Sequence, residues 1–250
     1  MKRKLVAAIA CRNSGSRLYG KPLQNLDVES EICILDNIID SLSISGCIDE
    51  TILGISEGVE NEIYIDYARS KDIRFVIGNE KDVLSRLISC GNLGNATDIF
   101  RITSESPFRY FEKDLELWNL HVNTNNDATF LEEIIDGCGF EIIKLEALKR
   151  SHQLGESRHR SEMCTLYIRE NSKDFKVERV TPPPELIRPD IRLTVDNPED
   201  LVVCRSVYMH FKQSAPMIRV DEVVEYLDQH PELIQLIRPY TELGYASMYL

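Results

Sequence analysis

Several features common in membrane-spanning, secreted and zinc-binding proteins are missing from this sequence. No apolar run approaches the ~20 residues that a membrane-spanning helix needs. The early apolar stretch 5–11 ends at Arg12, so it fits a buried strand better than a signal peptide. The seven cysteines are scattered singly, without a C-x-x-C pair or a Cys/His spacing typical of zinc sites. We therefore expect reduced thiols, no structural zinc and a cytoplasmic protein.

Positive charge is also scarce. The chain has 29 Lys and Arg residues against 41 Asp and Glu residues, which gives a formal net charge of −12. Broad nucleic-acid or anionic-membrane surfaces need positive charge, so neither partner is expected. A net negative charge still allows a local basic pocket that binds a small phosphate ligand.

The first half of the chain alternates short apolar runs with amphipathic stretches, which predicts an α/β fold. Short connections between such strands and helices indicate right-handed crossovers and a mostly parallel sheet. Ligands of such sheets bind beyond the carboxyl ends of the strands, where loops converge. The predicted strands are 4–10, 50–55, 73–77 and 96–102, and the predicted helices are 32–45, 59–70, 81–91 and 108–123.

The middle of the chain is less regular. We predict strands at 128–132, 139–143, 163–168 and 175–180, a short helix at 146–154, and a further strand at 191–195, with helices at 198–211 and 220–229. No repeat, low-complexity tract or domain boundary is visible. The 250 residues therefore predict a single domain with a β-rich excursion at about 131–184.

The segment after the first strand carries the clearest binding signal. Its sequence CRNSGSRLYGK, residues 11–21, places two glycines and three cations (Arg12, Arg17 and Lys21) at the expected binding edge. Glycines let backbone N–H groups approach phosphate oxygens, and the cations neutralise phosphate charge. The same letters open a P-loop motif, G-x-x-x-x-G-K, but Pro22 supplies no hydroxyl and disfavours a helix at Lys21. A P-loop kinase or ATPase is therefore not expected.

Two carboxylates follow predicted strands. Glu105 lies just past strand 96–102, and Asp196 just past strand 191–195. Two acidic side chains at neighbouring strand ends suit Mg²⁺, which prefers oxygen ligands and bound phosphates. Asn197 and Pro198 resemble a helix N-cap and first-turn proline, so Asp200 is assigned mainly to capping.

Other polar segments give weaker signals. Residues 78–86 follow the third strand and suit a nucleotide contact, although Asp82 alone also fits compensation of a helix dipole. The cluster 158–162 suits an acceptor contact or a solvated loop. The histidines form no metal or triad spacing, and no G-x-S-x-G nucleophile motif is present.

Together, these segments resemble the spore-coat polysaccharide cytidylyltransferase family, whose relatives include the CMP-KDO and CMP-sialate synthetases. The family's A-R-x-G-S-x-R-x-x-G-K loop matches residues 11–21, and its D-V-L-x-R element matches DVLSR at 82–86. R-I-T-G-D-x-P resembles RITSESP at 101–107, and E-H-V-T-x-Y-I resembles EMCTLYI at 162–168. R-L-T-V-D-x-P-E-D matches RLTVDNPED at 192–200. These ordered matches span residues 4 to about 212.

The resemblance implies a Rossmann-like, three-layer nucleotidyltransferase fold, a homodimer built through the excursion, and a site for CTP, Mg²⁺ and a small-molecule acceptor. Arg12, Lys21, Glu105 and Asp196 are the implied catalytic residues, with Glu105 and Asp196 as metal ligands. The implied acceptor contacts are Arg158, Arg160, Glu162 and Arg192. The implied nucleotide contacts are Ala8, Ala10, Arg12, Gly15, Ser16, Arg17, Lys21, Asn79, Asp82, Arg86 and Ser104.

The predicted function is transfer of CMP from CTP to a small anionic or sugar-like acceptor, a polysaccharide or glycoconjugate precursor, with release of pyrophosphate. Ser104-Glu105 replaces the family's Gly-Asp, Tyr19 replaces a proline and Met163 replaces a histidine. These departures leave three alternatives open: a phosphonate or polyol-phosphate acceptor, another nucleotide, or a catalytically degenerate nucleotide-binding subunit.

Overall fold

Strand β1, Leu5–Cys11, is an interior strand of a seven-stranded sheet, third in the strand order. The computed structural model describes residues 2–15 and 17–248, with 242–248 as backbone only. All residues of β1 except Ala10 are buried, because helices cover both faces of the sheet. Alternate side chains of β1 enter two apolar cores, one on each face, and this gives the three layers.

The other strands of the sheet lie on both sides of β1. They are β4 (Glu50–Ser56), β5 (Phe75–Gly78), β6 (Asp98–Arg101), β7 (Ala128–Leu131), β8 (Glu141–Lys144) and β9 (Val177–Val180). The order is β5-β4-β1-β6-β8-β7-β9, and β8 pairs antiparallel with both of its neighbours while the remaining pairs are parallel. A separate short hairpin consists of β2 (Asn25–Asp27) and β3 (Ile32–Cys33).

Helices on the two faces complete the layers. They are α1 (Ile34–Ile44), α2 (Glu62–Ser70), α3 (Val83–Leu93), α4 (Asp114–Thr124), α5 (Leu145–Leu154), α6 (Leu166–Glu170), α7 (Pro198–His210), α8 (Val220–Asp228) and α9 (Pro231–Met248). One core contains side chains of α1, α2, α4, α7 and α8, and the other contains side chains of α3, α5 and α6. The predicted α/β fold with a mostly parallel mixed sheet is confirmed.

Two predicted strands are wrong. The segment 163–168, rich in β-forming residues, ends in helix α6, whose Ile168 is buried and whose Arg169 pairs with carboxylates of β8 and of the loop after β7. The segment 191–195 forms one isolated bridge, between Arg192 and Asp136, and otherwise bonds to loop backbone. The excursion 131–184 is consequently less β-rich than expected, because its strands belong to the main sheet and helices lie between them.

The seven cysteines are all buried and none forms a disulfide. Across residues 2–15 and 17–248, no helix has both the length and the apolar character needed to cross a membrane. Helix α9, which the sequence pattern does not predict, packs on α7 and α8.

Candidate active site

A cleft of about 520 Å³ opens at the edge of the sheet where β1 and β6 end. The residues that follow these two strands line it, together with the first turns of α3 and the segment before α6. Six basic and four acidic side chains line the cleft, which leaves two positive charges in excess on a chain of net charge −12. The cleft is therefore a local basic pocket on an acidic protein.

The glycine-rich loop 12–21 is fixed in place by backbone contacts and a buried asparagine. A Cβ atom at Gly15 would overlap the carbonyl oxygen of Leu18, and Gly20 adopts a left-handed backbone with φ of 59°. The backbone N–H of Asn13 donates to Oδ1 of Asn61 at 2.7 Å, which ties the loop to the turn before α2. These contacts give the described part of the loop a defined shape that suits phosphate binding by backbone N–H groups.

Asp196 lies among three cations at one wall of the cleft. Its Oδ1 is 2.6 Å from Nζ of Lys21 and 3.3 Å from the guanidinium of Arg17, and its Oδ2 accepts from Arg192 at 2.7 Å. Burial alone would raise the pKa of Asp196, but the cations, led by Lys21, hold that pKa below its ordinary value. Asp196 is therefore ionised at neutral pH.

Glu105 lies beside Asp196, because the backbone N–H of Val195 donates to the carbonyl oxygen of Glu105 at 3.0 Å. Its carboxylate accepts from Oγ of Ser104 at 2.9 Å and forms no ion pair within the described part of the chain. Two neighbouring carboxylates, one without a cation, fit Mg²⁺ that takes its remaining ligands from phosphate and water. The described residues contain no cluster of three or more His, Cys, Asp or Glu side chains suited to a metal ion.

Arg86 is a buried guanidinium at the base of the cleft, only 1% exposed. Its Nη1 donates to the carbonyl oxygens of Cys11 at 3.0 Å and Gly54 at 2.9 Å, and its Nε lacks a partner among the described residues. A side chain at Gly78 would contact the Arg86 stem at 2.8 Å, so the glycine admits the arginine. Burial lowers the pKa of Arg86, yet arginine stays protonated in proteins. It is thus a cation with donor capacity left for a ligand.

A charged network at the same edge was not predicted from the sequence. Glu141, the first residue of β8, pairs with Arg101, the last residue of β6, at 3.2 Å, and with Arg169 at 2.7 Å. It also accepts from Oγ1 of Thr165 at 2.8 Å. Burial acts to raise the pKa of Glu141, but Arg101 and Arg169 hold it below its ordinary value. A charged residue within the otherwise apolar segment 140–143 is the sequence signal that points to this site.

Ten of the predicted site residues line the cleft: Ala10, Arg12, Gly15, Arg17, Lys21, Arg86, Ser104, Glu105, Glu162 and Asp196. Arg12 and Glu162 form an ion pair between the glycine-rich loop and the segment before α6. Ser16 lies outside the described residues. The structure thus brings the glycine-rich loop and both carboxylates to one place, whereas their roles there remain predictions.

Six predicted site residues do not line the cleft: Ala8, Asn79, Asp82, Arg158, Arg160 and Arg192. Ala8 is buried in an apolar core. Asp82 caps α3 and bonds to His152 at 2.7 Å. Arg158 pairs with Glu170 at 2.6 Å on the surface. Asn79 and Arg160 bond to backbone groups close by in the sequence, and the predicted ligand contacts of these residues stay predictions.

Arg192 is buried beside Asp196. Its side chain is 3% exposed and faces three carboxylates: Asp136 at 3.4 Å, Asp196 at 2.7 Å and Asp200 at 3.0 Å. These contacts hold the Asp196 carboxylate in place, whereas contact of Arg192 with an acceptor stays a prediction. The predicted capping role of Asp200 is confirmed, because its carboxylate accepts from the N–H of Asn197 at 2.8 Å at the start of α7.

Comparison with known proteins gives two relatives of nearly the same length. The chain is 28% identical over 232 residues to an uncharacterised protein of Methanocaldococcus jannaschii, which covers 92% of this chain and 93% of that protein. It is 24% identical over 234 residues to the spore coat polysaccharide biosynthesis protein SpsF of Bacillus subtilis, covering 90% of this chain and 94% of SpsF. No protein-family model matches the chain.

Solved structures show the same fold. A cytidylyltransferase from Leptospira borgpetersenii superposes with a TM-score of 0.83 at 20% identity, covering 94% of this chain and 98% of its own. The CMP:2-keto-3-deoxy-manno-octonic acid synthetase complexed with CTP gives a TM-score of 0.60 at 12% identity, covering 83% and 99%. The chain therefore shares the fold of these two solved structures. Its similarity to SpsF extends over most of both sequences, which confirms the resemblance that the motifs predict.

Proposed function

We propose that this chain is a cytidylyltransferase that transfers CMP from CTP to a small anionic or sugar-like acceptor of polysaccharide or glycoconjugate synthesis, releasing pyrophosphate. The observation that carries this proposal is the cleft that joins the glycine-rich loop to Glu105 and Asp196. The names of the similar proteins support it: SpsF is a spore coat polysaccharide biosynthesis protein, and one structural neighbour is a synthetase complexed with CTP.

The triphosphate would bind along the loop 12–21. Its cations Arg12, Arg17 and Lys21 line the cleft, each within reach of a carboxylate that a phosphate oxygen would replace. Backbone N–H groups of the loop around Gly15 would add fixed donors. This arrangement provides the charge stabilisation that nucleotidyl transfer needs most.

Arg86 would donate a hydrogen bond to a pyrimidine base that has acceptor atoms on its edge. A guanidinium only donates hydrogen bonds. Cytosine presents O2 and N3 as adjacent acceptors, whereas uracil carries a hydrogen on N3. The unpartnered Nε of Arg86 would supply one donor to O2 or N3 of cytosine at the base of the cleft.

Glu105 and Asp196 would hold Mg²⁺, which when bound polarises phosphate oxygens and aligns the triphosphate. The acceptor oxygen attacks the α-phosphorus in line, the bond to the bridging oxygen breaks, and pyrophosphate leaves with the bonding electrons. Arg12 and Lys21 would stabilise charge on the transferred and departing groups. An acceptor oxygen that is already ionised, as in a carboxysugar, phosphate or phosphonate, needs no protein base.

The proposal is tested by pyrophosphate release from CTP with a panel of sugar acids, polyol phosphates and phosphonates. We expect CTP, but not ATP or GTP, to raise the melting temperature in Mg²⁺, because a ligand that binds only the native state stabilises it. Glu146→Gln, an exposed change on α5 that removes a carboxylate outside the cleft, is the matched control. Equal shifts from all nucleotides, or none from CTP, would contradict cytidylyl transfer.

A degenerate, non-catalytic subunit is the main alternative, motivated by Ser104-Glu105. The position of Glu105 argues against it: the carboxylate lines the cleft beside Asp196 and accepts a hydrogen bond from Ser104. A glutamate oxygen remains a competent Mg²⁺ ligand. CTP binding without pyrophosphate release for every acceptor in the panel would favour the degenerate subunit.

A further inference from the structure

The network around Glu141 lies in a different part of the cleft from the glycine-rich loop. Glu141 belongs to β8, which lies two strands from β1 in the sheet order. The residues Arg101, Glu141, Thr165 and Arg169 all line the cleft. The contacts that the proposed function assigns to CTP use none of them, so this part of the cleft lies outside the proposed CTP site.

The side chains of this network are held by contacts with the rest of the protein. Arg169 lies over the ring of Phe130, 4.1 Å from its centroid, and also pairs with Glu132. Arg101 donates to the backbone carbonyl of Glu162 at 3.0 Å as well as to Glu141. Side chains held in this way lose little further freedom on binding, which favours specific recognition.

The network alternates donors and an acceptor. Glu141, 9% exposed at its side chain, is a carboxylate that only accepts hydrogen bonds, and the guanidinium groups on both sides of it only donate. A hydroxyl group does both, so adjacent hydroxyls of a polyol match such a row. We propose that Glu141, flanked by Arg101 and Arg169, reads the hydroxyl groups of a polyhydroxylated acceptor. This inference rests on the proposed function.

The charges of the cleft favour hydroxyls over a second anion at this place. Outside this network the cleft lining has four cations and three carboxylates, so one positive charge in excess is available to the triphosphate. Each guanidinium beside Glu141 already has a carboxylate partner, and Glu141 itself would repel an anion. A hydroxyl group is neutral, so it can hydrogen-bond to Glu141 and to a neighbouring guanidinium while the ion pairs between them remain. Glu141 is accordingly a specificity-determining residue for an acceptor of sugar-like chemistry.

The test uses gluconate and hexanoate, which share a carboxylate and a six-carbon chain but differ in hydroxyl groups. Binding of each probe at millimolar concentration is measured by saturation-transfer NMR on the chain loaded with CTP and Mg²⁺. We expect signals for gluconate and none for hexanoate. Glu141→Gln should weaken gluconate binding by about tenfold or more, since a buried site built for hydroxyl groups discriminates strongly when a partner is lost.

Thr165→Val is the second variant, because it removes the hydroxyl that orients Glu141 but keeps both ion pairs. We expect a smaller loss of gluconate binding there and none in Glu146→Gln. The melting shift caused by CTP should stay unchanged in all three variants. If Glu141→Gln fails to fold, the gluconate signal of Thr165→Val decides.

Equal binding of hexanoate and gluconate, or gluconate binding unchanged in a folded Glu141→Gln or Thr165→Val, would overturn the inference. No gluconate signal from a chain that binds CTP would also overturn it and would leave the proposed function intact. Gluconate binding that depends on Glu141 in a chain without affinity for CTP would support the hydroxyl site and refute the cytidylyltransferase proposal.

Discussion

Asp196→Asn is the substitution that most directly tests the proposed metal site. Asparagine keeps the shape of the side chain and removes one negative charge. The change takes an ionised partner from Lys21, Arg17 and Arg192. It would also take a charged ligand from the proposed Mg²⁺. The two consequences are separable, because stability depends on the ion pairs and turnover depends on the metal.

The structure sets the expected size of each effect. A hydrogen bond to a charged group contributes about 1.5–3 kcal/mol, but Arg192 keeps Asp136 and Asp200 as partners, and Arg17 and Lys21 keep contact with solvent. We therefore expect a loss of only about 1–2 kcal/mol in the free energy of unfolding. Removal of one transition-state contact commonly costs ~10²–10³-fold in rate.

Glu105 provides the matched comparison, because it has no ion pair within the described chain. Glu105→Gln should reduce turnover as severely as Asp196→Asn but change the free energy of unfolding by only about 0.5 kcal/mol. Glu105→Asp should keep measurable activity, since it restores the family's residue type. Steady-state pyrophosphate release gives the rates, urea unfolding gives the stabilities, and calorimetry of CTP with and without Mg²⁺ reports metal use without an acceptor.

The reasoning is refuted by wild-type rates in both Asp196→Asn and Glu105→Gln. It is also refuted if both variants retain the Mg²⁺ dependence of CTP binding. A large loss of stability in Glu105→Gln would show that this carboxylate has a structural role.

Three further predictions concern stability and assembly. Asp200→Asn should lower the free energy of unfolding, measured in urea, by about 2–3 kcal/mol, because it removes one of the carboxylates around buried Arg192. Loss of a helix cap alone costs ~1 kcal/mol, so a loss below ~1 kcal/mol would contradict this prediction. Burial raises the pKa of Asp136 to about 6, so its contribution to stability is present below pH ~4 and lost as pH rises through about 6. The free energy of unfolding of Asp136→Asn, relative to that of wild type, should therefore rise by about 3 kcal/mol between pH 4 and 7. If the two proteins show the same dependence of unfolding free energy on pH, this prediction is refuted. The chain should form a homodimer through 131–184, where β9 is an edge strand; a monomeric mass in light scattering would refute it.

The parallel part of the sheet could be predicted from the sequence because its strands are buried on both faces. The apolar runs of β1, β4 and β6 appear at the predicted places, within a few residues. The prediction failed for 163–168 and 191–195, where β-forming residues are present but the conformation depends on distant contacts. Arg169 in α6, for example, is held by Glu132 and Glu141.

The sequence likewise predicts only part of the candidate site. The glycine-rich loop, Glu105 and Asp196 follow predicted strands, so the rule that ligands bind beyond carboxyl ends locates them. Glu141 escapes that rule because β8 is antiparallel: its first residue, not its last, lies at the edge where β6 ends. For Arg192, the matching motif predicts a site residue, but a motif cannot show that the side chain is buried among three carboxylates.

The cations predicted to bind phosphate also explain how an acidic chain maintains a phosphate site. Arg12 pairs with Glu162 and Lys21 with Asp196, so neither cation is left uncompensated in the ligand-free protein. An ion pair that is exposed to solvent contributes only ~0.2–1 kcal/mol, so exchanging the Glu162 carboxylate for a phosphate oxygen costs little. The same exchange at Lys21 frees Asp196 for a metal ion as the triphosphate arrives. Phosphate and metal binding would consequently reinforce each other, and neither would require a basic surface outside the cleft.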